Sequence, residues 1–558
     1  MADDFTGLGG QGPDMKRLLV AVILMTGTLM VFNLFFAPPR APEPAQVATG
    51  NPVPKVQEAP KAAALEANKN IVATPENIPE QIKQFSFDLK AAKKEHTTVA
   101  LRGGYNVQVT NQGAQIRAID LTGYKKPIHL SEQLIQGVGL FAIASRDVNL
   151  TLAKEAPYEL VSSSDTDVIF QRVTPEGVRV KRKYHFYNDR FLTDQTVELT
   201  NEGKAVRQIA LDVLLAAKTH SKEEVSGGYL TPGVEEIASV CRVADKRHRV
   251  SVEDLHKSAF DSNGSVAYAG FDQRYFLTAF VPKGDVGTEG CTISLAANGT
   301  SGNYALIAIH QKPMTVMPGE TKTLLFAGYY GPKQLTLLKE ADSQLEENVD
   351  FGWFGVLSRP MLWLLEQLFR FVGNFGLAII LLTLLIKLLT FPLTQKSFVS
   401  MQEMKKIAPH VKELQQKYSH DRTLLGQKQM ELYKEKGINP MAGCLPMLIQ
   451  MPVWFALYQM LWNSVELYQR PFGLWIFDLT QPDPFFVLPV AMGASMFIQQ
   501  AFQPPIDDQP QMKYVMWGMP IFLTFIMLKL PAGLSLYIFT NNILTIGQQL
   551  YIKQRYPS

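Results

Sequence analysis

The sequence predicts an α-helical membrane protein with six transmembrane helices and a large antiparallel β-sandwich domain. Its mean hydropathy is zero, because a polar middle lies between very apolar ends. The apolar runs are long enough to cross a hydrocarbon layer of ~30 Å at ~1.5 Å per helical residue. The middle alternates apolar and polar residues, as half-buried strands do. A formal charge of only +3 gives no reason to expect specific DNA binding.

The N-terminus is predicted to hold an uncleaved signal anchor. Lys16 and Arg17 precede the apolar run 18–36, so residues 1–17 are expected in the cytoplasm. A cleaved secretory signal is the alternative, but Phe35 and the following prolines disfavour cleavage after Ala37. Residues 37–80 are rich in Pro and Ala and predict an extended linker.

Residues 81–350 are predicted to form the β-domain, ending in a helix. Alternating runs such as VRVKRKYHFY and TKTLLFAGYY are separated by turn residues. Cys241 and Cys291 lie here and can pair if the domain is exported. The sequence indicates no catalytic cluster, and single polar residues are assigned to the exposed face of strands: Asp165, Asp167, His185, Asp272 and Arg274.

Residues 351–372 predict an amphipathic helix lying on the outer membrane face, with a buried helix packed on the sandwich as the alternative. The next span, 373–394, carries one cation, Lys387. An intramembrane lysine costs at least ~2.5 kcal/mol on insertion scales and therefore indicates a functional site, unless its stem reaches the interface. Thr383, Thr390 and Thr394 share its helical face.

Residues 395–441 predict a cytoplasmic helical hairpin, since residues 395–440 carry a net charge of +4. A solvated basic face is the simple interpretation. Contact with ribosomal RNA or lipid headgroups is the more specific one, and it assigns ribosome or targeting contacts to the following residues: Lys405, Lys406, Lys412, Lys417 and Arg422.

Four more spans are predicted at 442–463, 484–502, 514–530 and 532–551, with a cytoplasmic tail at 552–558. The spans contain no Asp or Glu, and their polar residues gather in the cytoplasmic halves. This pattern favours a wet cavity open to the cytoplasm and closed on the outer side. The predicted groove residues are Lys387, Gln450, Thr383, Thr390, Gln499, Thr524, Asn541 and Thr545.

Several stretches, among them LLIKLLTFPLTQKSF, INPMAGCLPMLIQMPVWFALYQML and GLSLYIFTNNILTIGQQ, closely resemble the YidC/Oxa/Alb family of membrane protein insertases. The resemblance covers residues from about 351 to the C-terminus. It implies a five-helix insertase core and, for the Gram-negative type, a periplasmic β-supersandwich. It also implies residence in the bacterial inner membrane with both chain ends in the cytoplasm.

The resemblance implies a non-enzymatic insertase and chaperone without a cofactor. Nascent membrane proteins would be its substrates, and the ribosome, the signal-recognition targeting machinery, the Sec translocon and membrane lipids its partners. Lys387 occupies the place of the family's groove arginine and Gln450 that of a groove glutamine. Trp454 and Tyr537 match positions of the greasy slide along which substrates leave.

Two other classes of function stay open. An ion-coupled transporter would use Lys387 as a titrating group and predicts solute or proton flux. An envelope-assembly or carbohydrate-binding protein would use the spans only as an anchor. It predicts that deleting residues 85–330 abolishes function.

Overall fold

The computed structural model describes most of the chain beyond the predicted linker. The predicted anchor at 18–36 and the linker at 37–80 lie outside the described residues. Those described are 96–101, 104–131, 138–147, 150–220, 236–284, 287–298, 302–437, 445–501 and 510–555.

The described strands belong to four antiparallel sheets. The strands are β1 His96–Leu101, β2 Tyr105–Thr110, β3 Gln115–Leu121, β4 Ile128–Ser131, β5 Ala142–Ser145, β6 Glu159–Ser163, β7 Asp167–Val173, β8 Val178–Phe186, β9 Leu192–Asn201, β10 Arg207–Ile209, β11 Leu211–Lys218, β12 Ala238–Val243, β13 Lys246–Val250, β14 Phe260–Asn263, β15 Val266–Asp272, β16 Phe276–Lys283, β17 Thr288–Asn298, β18 Gly302–Gln311, β19 Met314–Val316 and β20 Thr321–Pro332.

The two largest sheets share one hydrophobic core. The nine-stranded sheet has the order β13-β12-β15-β16-β20-β9-β8-β7-β6, and the five-stranded sheet has the order β14-β17-β18-β11-β5. Burial alternates along β8, so Val178, Val180 and Tyr184 face a core that also receives Val213 and Ile307 from the smaller sheet. The sequence-based prediction of an antiparallel β-rich domain is therefore confirmed.

A disulfide joins these two sheets. Cys241 on β12 and Cys291 on β17 are fully buried and bonded to each other across 50 residues of sequence. The sequence left this pairing open. A buried disulfide is typical of an exported domain, where thiols become oxidised.

Asp272 corrects one expectation from the sequence. It is only 3% exposed, and its carboxylate contacts Lys333 Nζ at 2.7 Å and Arg249 Nε at 3.1 Å. Burial lowers the pKa of the Lys333 ammonium, and the adjacent Asp272 carboxylate opposes that shift. The assignment of Asp272 to the exposed face of a strand is thus wrong, because Lys333, directly after β20, and Arg249 of β13 cover the end of β15. Asp167 and His185, by contrast, form a half-exposed cross-strand pair at 2.8 Å.

The helices of the described chain are α1 Val252–Lys257, α2 Leu335–Ala341, α3 Gly355–Val372, α4 Phe375–Lys417, α5 Arg422–Glu435, α6 Leu445–Asn463, α7 Val487–Ala501, α8 Pro510–Met527 and α9 Ala532–Arg555. Short 3-10 turns at Ser343–Asn348, Gly352–Phe354 and Val465–Leu467 lie between them.

The long helices overlap the predicted spans with shifted ends. α4 passes without a break from the predicted span at 373–394 into the predicted hairpin and ends at Lys417. It begins where the Asn374 side chain accepts a hydrogen bond from the Leu377 amide. Within the described chain, one stretch of helix, 375–404, is long and apolar enough to cross a membrane by length and composition. Shorter apolar helices occupy 487–501 and 517–527.

The amphipathic helix α3 has one packed face and one exposed apolar face. Met361, Leu362 and Leu365 are buried, and the Ser358 hydroxyl donates to the Ala456 carbonyl of α6. Trp363 and Phe371 are 61% and 87% exposed on the other face. One face of α3 therefore packs on protein, and the other leaves large apolar side chains uncovered.

The β-domain contacts the helical part through the loop that follows α6. The Arg274 guanidinium lies 4.0 Å from the centre of the Trp462 ring, at the last turn of α6. Tyr468 packs edge-on against Tyr124 and Phe276 of the β-domain, with ring centres 5.8 and 5.3 Å apart. The two halves thus share a packed interface.

Candidate functional site

The polar stripe of α4 contains three hydroxyls and one ammonium. Thr383, Thr390 and Thr394 each donate a hydrogen bond to a carbonyl oxygen of the preceding turn of α4, at 2.7 to 3.1 Å. These bonds satisfy the hydroxyl groups inside the helix. Lys387 is the member of the stripe that donates outward, to a neighbouring helix.

Lys387 is bound to a hydroxyl of α9. Its Nζ atom donates to Thr545 Oγ1 at 2.8 Å, and the Thr545 hydroxyl donates to the Asn541 carbonyl at 2.6 Å. Thr545 is 4% exposed and Lys387 is half-buried. Within the described residues no carboxylate lies within ion-pair distance of Lys387. The cation is therefore held by a neutral acceptor among apolar side chains.

A second hydrogen bond joins the same two helices further along. Gln548 Nε2 donates to Thr394 Oγ1 at 2.8 Å, seven residues after Lys387 on α4 and three after Thr545 on α9. Residue numbers rise together along both helices, so α4 and α9 run in the same direction. The Oε1 atoms of Gln548 and Gln549 are buried without a hydrogen-bond partner. Buried acceptors of this kind are expected to bind water or a polar ligand.

Sequence reasoning missed a third polar contact. Asn542 Nδ2 donates to the hydroxyl of Ser495 on α7 at 3.0 Å, and both residues are buried. The spacing of Asn541, Thr545 and Gln548 predicts a polar stripe on the adjacent face of α9, which does not include Asn542. The pair Asn541-Asn542 was itself a signal, because each buried amide in an apolar helix needs a partner.

Gln450 and Tyr537 contact each other, although the sequence predicts Gln450 in the groove and Tyr537 on the slide. Gln450 Nε2 on α6 donates to the Tyr537 hydroxyl on α9 at 3.2 Å, and Tyr537 is 2% exposed. Trp454 lies one turn further along α6 and stacks on Tyr458, which in turn stacks on Trp462. Amide and aromatic groups thus follow one another along one stripe of α6.

The remaining predicted groove residues, Thr524, Gln499 and Asn541, make no described hydrogen bond to Lys387. The Thr524 hydroxyl donates to the Pro520 carbonyl in its own helix, α8. Its side chain fills the space over Gly493 of α7, where a Cβ atom would meet Thr524 Oγ1 at 2.1 Å. Gln499 is half-buried in the last turn of α7, and Asn541 is half-buried on α9. No hydrogen bond among the described residues joins Gln499 to Lys387.

The basic hairpin is exposed where it is described. The side chains of Lys406, Lys412 and Lys417 are exposed, and none of them pairs with a carboxylate of the described chain. Lys405 lies within α4, and Arg422 is the first residue of α5. Asp421 caps α5 by accepting the amides of Thr423 and Leu424 at 3.0 Å.

Comparison with known proteins covers both halves of the chain. Residues 103–364 match the family model of the YidC periplasmic domain, and residues 367–558 match the model named 60Kd inner membrane protein. A membrane protein insertase YidC from Geotalea daltonii is 34% identical over 97% of this chain and 100% of its own length. One from Anaeromyxobacter sp. strain Fw109-5 is 34% identical, with 98% of each chain covered. A crystal structure of an active YidC insertase covers 84% of this chain at 17% identity and a TM-score of 0.37.

The two family-model matches and the relatives that are 34% identical show that the chain is a membrane protein insertase, which is not an enzyme. The β-rich domain joined to apolar helices agrees with this class. More particularly, the chain belongs to the YidC family, in the form that has a periplasmic domain. The family assignment and the non-enzymatic class predicted from the sequence are confirmed.

Proposed function

We propose that this insertase works through a hydrophilic groove between α4, α6 and α9 that opens to the cytoplasm, and that substrates leave sideways along Trp454 and Tyr537. The observation that carries the proposal is the hydrogen bond from Lys387 to Thr545, with the parallel bond from Gln548 to Thr394. A cation, hydroxyls and amides buried between apolar helices are costly unless they serve a polar ligand or water.

The groove acts by lowering the cost of moving a polar segment into the membrane. Lys387 attracts acidic side chains of a short translocating segment, and the amides of Gln450 and Gln548 replace part of its water. Thr383, Thr390, Gln499, Thr524 and Asn541 complete the proposed groove. Apolar transfer into lipid, worth roughly 0.8 kcal/mol per buried methylene, supplies the driving force. No cofactor is needed.

The proposed arrangement has six transmembrane helices, including one at 18–36, and a five-helix core. Both chain ends lie in the cytoplasm, and α3 lies on the outer face of the inner membrane. Lys405, Lys406, Lys412, Lys417 and Arg422 contact the ribosome or the targeting machinery. The exposure of the three described lysine side chains supports this role. Small substrates are inserted by this chain alone and larger ones with the Sec translocon.

The test is insertion of a small, newly synthesised two-span protein into liposomes that contain only this purified chain. Wild type, Lys387→Arg and Lys387→Ala are compared by protease protection. We expect insertion by wild type and Lys387→Arg and a loss of at least tenfold with Lys387→Ala.

Equal insertion by all three proteins would contradict a direct role of the cation and leave Lys387 as a solvating residue. No insertion above empty liposomes would contradict autonomous activity. Solute or proton flux through the same liposomes would support an ion-coupled transporter instead.

A further inference from the structure

A cavity of about 350 Å³ lies where the β-domain meets the start of α3. Arg247 of β13 and Glu347 of the 3-10 turn at Ser343–Asn348 line the cavity. Asp350, Gly352 and Arg359 also line it. Its volume falls within the range of about 300 to 1,000 Å³ found for small-ligand sites.

The charges around the cavity are balanced, with two guanidinium groups and two carboxylates. Arg247 donates to the Glu347 carbonyl at 2.7 Å and lies 3.7 Å from the Asp272 carboxylate, and its Nε atom is buried without a hydrogen-bond partner. The Glu347 carboxylate pairs with Arg242. Arg359 is exposed and has no ion-pair partner in the described part of the chain. Asp350 Oδ1 accepts the Gly352 amide at 2.7 Å. The cavity therefore offers both cationic and anionic groups to one ligand.

The exposed face of α3 indicates where this ligand comes from. Trp353 is 99% exposed and Val356 is 89% exposed, directly beside the cavity-lining Gly352 and Gly355. Val356, Trp363 and Phe371 follow at spacings of seven and eight residues and so share one helical face. Uncovered Trp and Phe side chains at this position are typical of a membrane interface.

We propose that the cavity binds the headgroup of a zwitterionic aminophospholipid of the outer leaflet, of the phosphatidylethanolamine type. Arg359 and Arg247 would bind the phosphate, because guanidinium forms paired hydrogen bonds with phosphate oxygens. Asp350 would bind the ammonium, and Glu347, whose carboxylate pairs with Arg242, would add a second negative charge beside it. The acyl chains would lie along the exposed apolar face of α3. A neutral headgroup matches a cavity of zero net charge, whereas an anionic headgroup leaves the carboxylates opposed to it.

The inference rests on the proposed position of α3 at the outer membrane face, but not on the Lys387 groove.

The test measures lipid binding by the purified full-length chain. The chain is delipidated and incubated with equal amounts of phosphatidylethanolamine, phosphatidylglycerol and phosphatidylcholine of the same acyl chains. Native mass spectrometry then counts the retained lipids. We expect wild type to retain one phosphatidylethanolamine at least tenfold over the other two.

Three variants locate the site. Arg359→Gln is expected to reduce this retention at least tenfold. Arg370→Gln, an exposed arginine of the same helix outside the cavity, should leave retention unchanged. Asp350→Asn keeps the Oδ1 acceptor for the Gly352 amide but removes a negative charge, so preference should move toward phosphatidylglycerol.

Equal retention by wild type and Arg359→Gln would overturn the proposal, and so would a wild-type preference for phosphatidylglycerol. Tight retention of soluble phosphoethanolamine without a preference among the lipids would contradict the proposal that the ligand is a membrane lipid. Insertion into liposomes is measured separately with the Lys387 variants, so this inference and the proposed function can fail independently.

Discussion

At the scale of single residues, the Lys387 ammonium is unusual because its hydrogen-bond acceptor, the Thr545 hydroxyl, carries no charge. A carboxylate partner would make a stable ion pair and occupy the cation, whereas the Thr545 hydroxyl leaves the charge uncompensated. An acidic group on a substrate can therefore replace a weaker acceptor instead of competing with a stronger one. Lysine also lacks the planar fork of arginine, so the ammonium can exchange one acceptor for another with little geometric constraint.

Thr545→Val should weaken both the fold and the function. It removes the acceptor of Lys387 while keeping the side-chain volume, and loss of one buried partner costs about 1 to 3 kcal/mol. We expect a lower unfolding temperature in detergent and reduced insertion. Thr545→Ser keeps the hydroxyl and is the matched control. Equal unfolding temperatures for the valine and serine variants would contradict a contribution of this bond to stability.

Glu466 predicts a pH dependence that originates outside the membrane spans. Burial raises the pKa of its carboxyl to about 7, and the nearby Glu366 acts in the same direction. The folded chain keeps this proton where the unfolded chain, with a pKa of 4.5, has lost it. The free energy of unfolding should therefore fall as the pH rises from about 4.5 to about 7 and stay level above.

Glu466→Gln cannot lose a proton, so the variant should lack this part of the slope. Unfolding temperatures of both proteins at pH 5, 6, 7 and 8 measure the difference. The variant should gain stability relative to wild type as the pH rises to 7. Parallel curves would show that Glu466 titrates as an exposed carboxyl does.

At the scale of elements, α7 and α8 are held together by close approach at Gly493. Thr524 occupies the space that a larger residue at position 493 would need. The Thr524 hydroxyl donates to the Pro520 carbonyl within α8. The same side chain packs closely against α7. Small residues at such contacts allow helices to pack closely in a membrane.

Gly493→Ala should destabilise the protein, since the new methyl group would meet Thr524 Oγ1 at 2.1 Å. Overpacking of this kind costs typically about 1 to 3 kcal/mol. The double variant with Thr524→Ala removes the clashing hydroxyl and should recover most of the loss in unfolding temperature. If Thr524→Ala gives no recovery, the two helices do not meet at this pair.

The length of α4 connects two proposed tasks. Its 43 residues extend roughly 65 Å at ~1.5 Å per residue. One unbroken helix therefore carries both Lys387 and the exposed Lys406, Lys412 and Lys417. Contact of the hairpin with a ribosome would act on the same continuous helix that forms one wall of the proposed groove.

At the scale of the whole molecule, the β-domain packs directly on the helix that carries Gln450. Arg274 covers Trp462 at the last turn of α6, and Tyr468 sits among aromatic rings of the β-domain. One hydrophobic cluster includes Tyr329 of the sheet together with Leu365 and Leu461 of the helices. The β-domain can therefore fix the position of the outer end of α6.

The contact between Arg274 and Trp462 should appear as coupling between two substitutions. Arg274→Ala and Trp462→Ala are each expected to lower the unfolding temperature. Their double variant should lose less than the two losses combined, corresponding to a coupling of about 0.5 to 2 kcal/mol. Arg274→Ala with Trp363→Ala, which changes an exposed tryptophan on α3, should be additive. Additivity in both pairs would contradict the contact.

Local sequence patterns are enough to predict the order of the two halves and the polar stripe of α4. Periodicity is a local property, so alternation identifies strands and spacings of three and four residues identify one helical face. The identification of Lys387 likewise needed only the cost of a cation in an apolar run. The predicted functions of Lys406, Lys412 and Lys417 also came from local charge alone, and stay predictions.

Which polar groups contact one another depends on the tertiary packing of the chain. The bonds from Lys387 to Thr545 and from Asn542 to Ser495 join residues 158 and 47 positions apart. The burial of Asp272, the disulfide between the two sheets and the packing of Thr524 on Gly493 are likewise contacts between distant segments. Such contacts depend on how helices and sheets are placed around shared cores. No local pattern in the chain encodes that placement, because each segment is compatible with several neighbours until packing selects one.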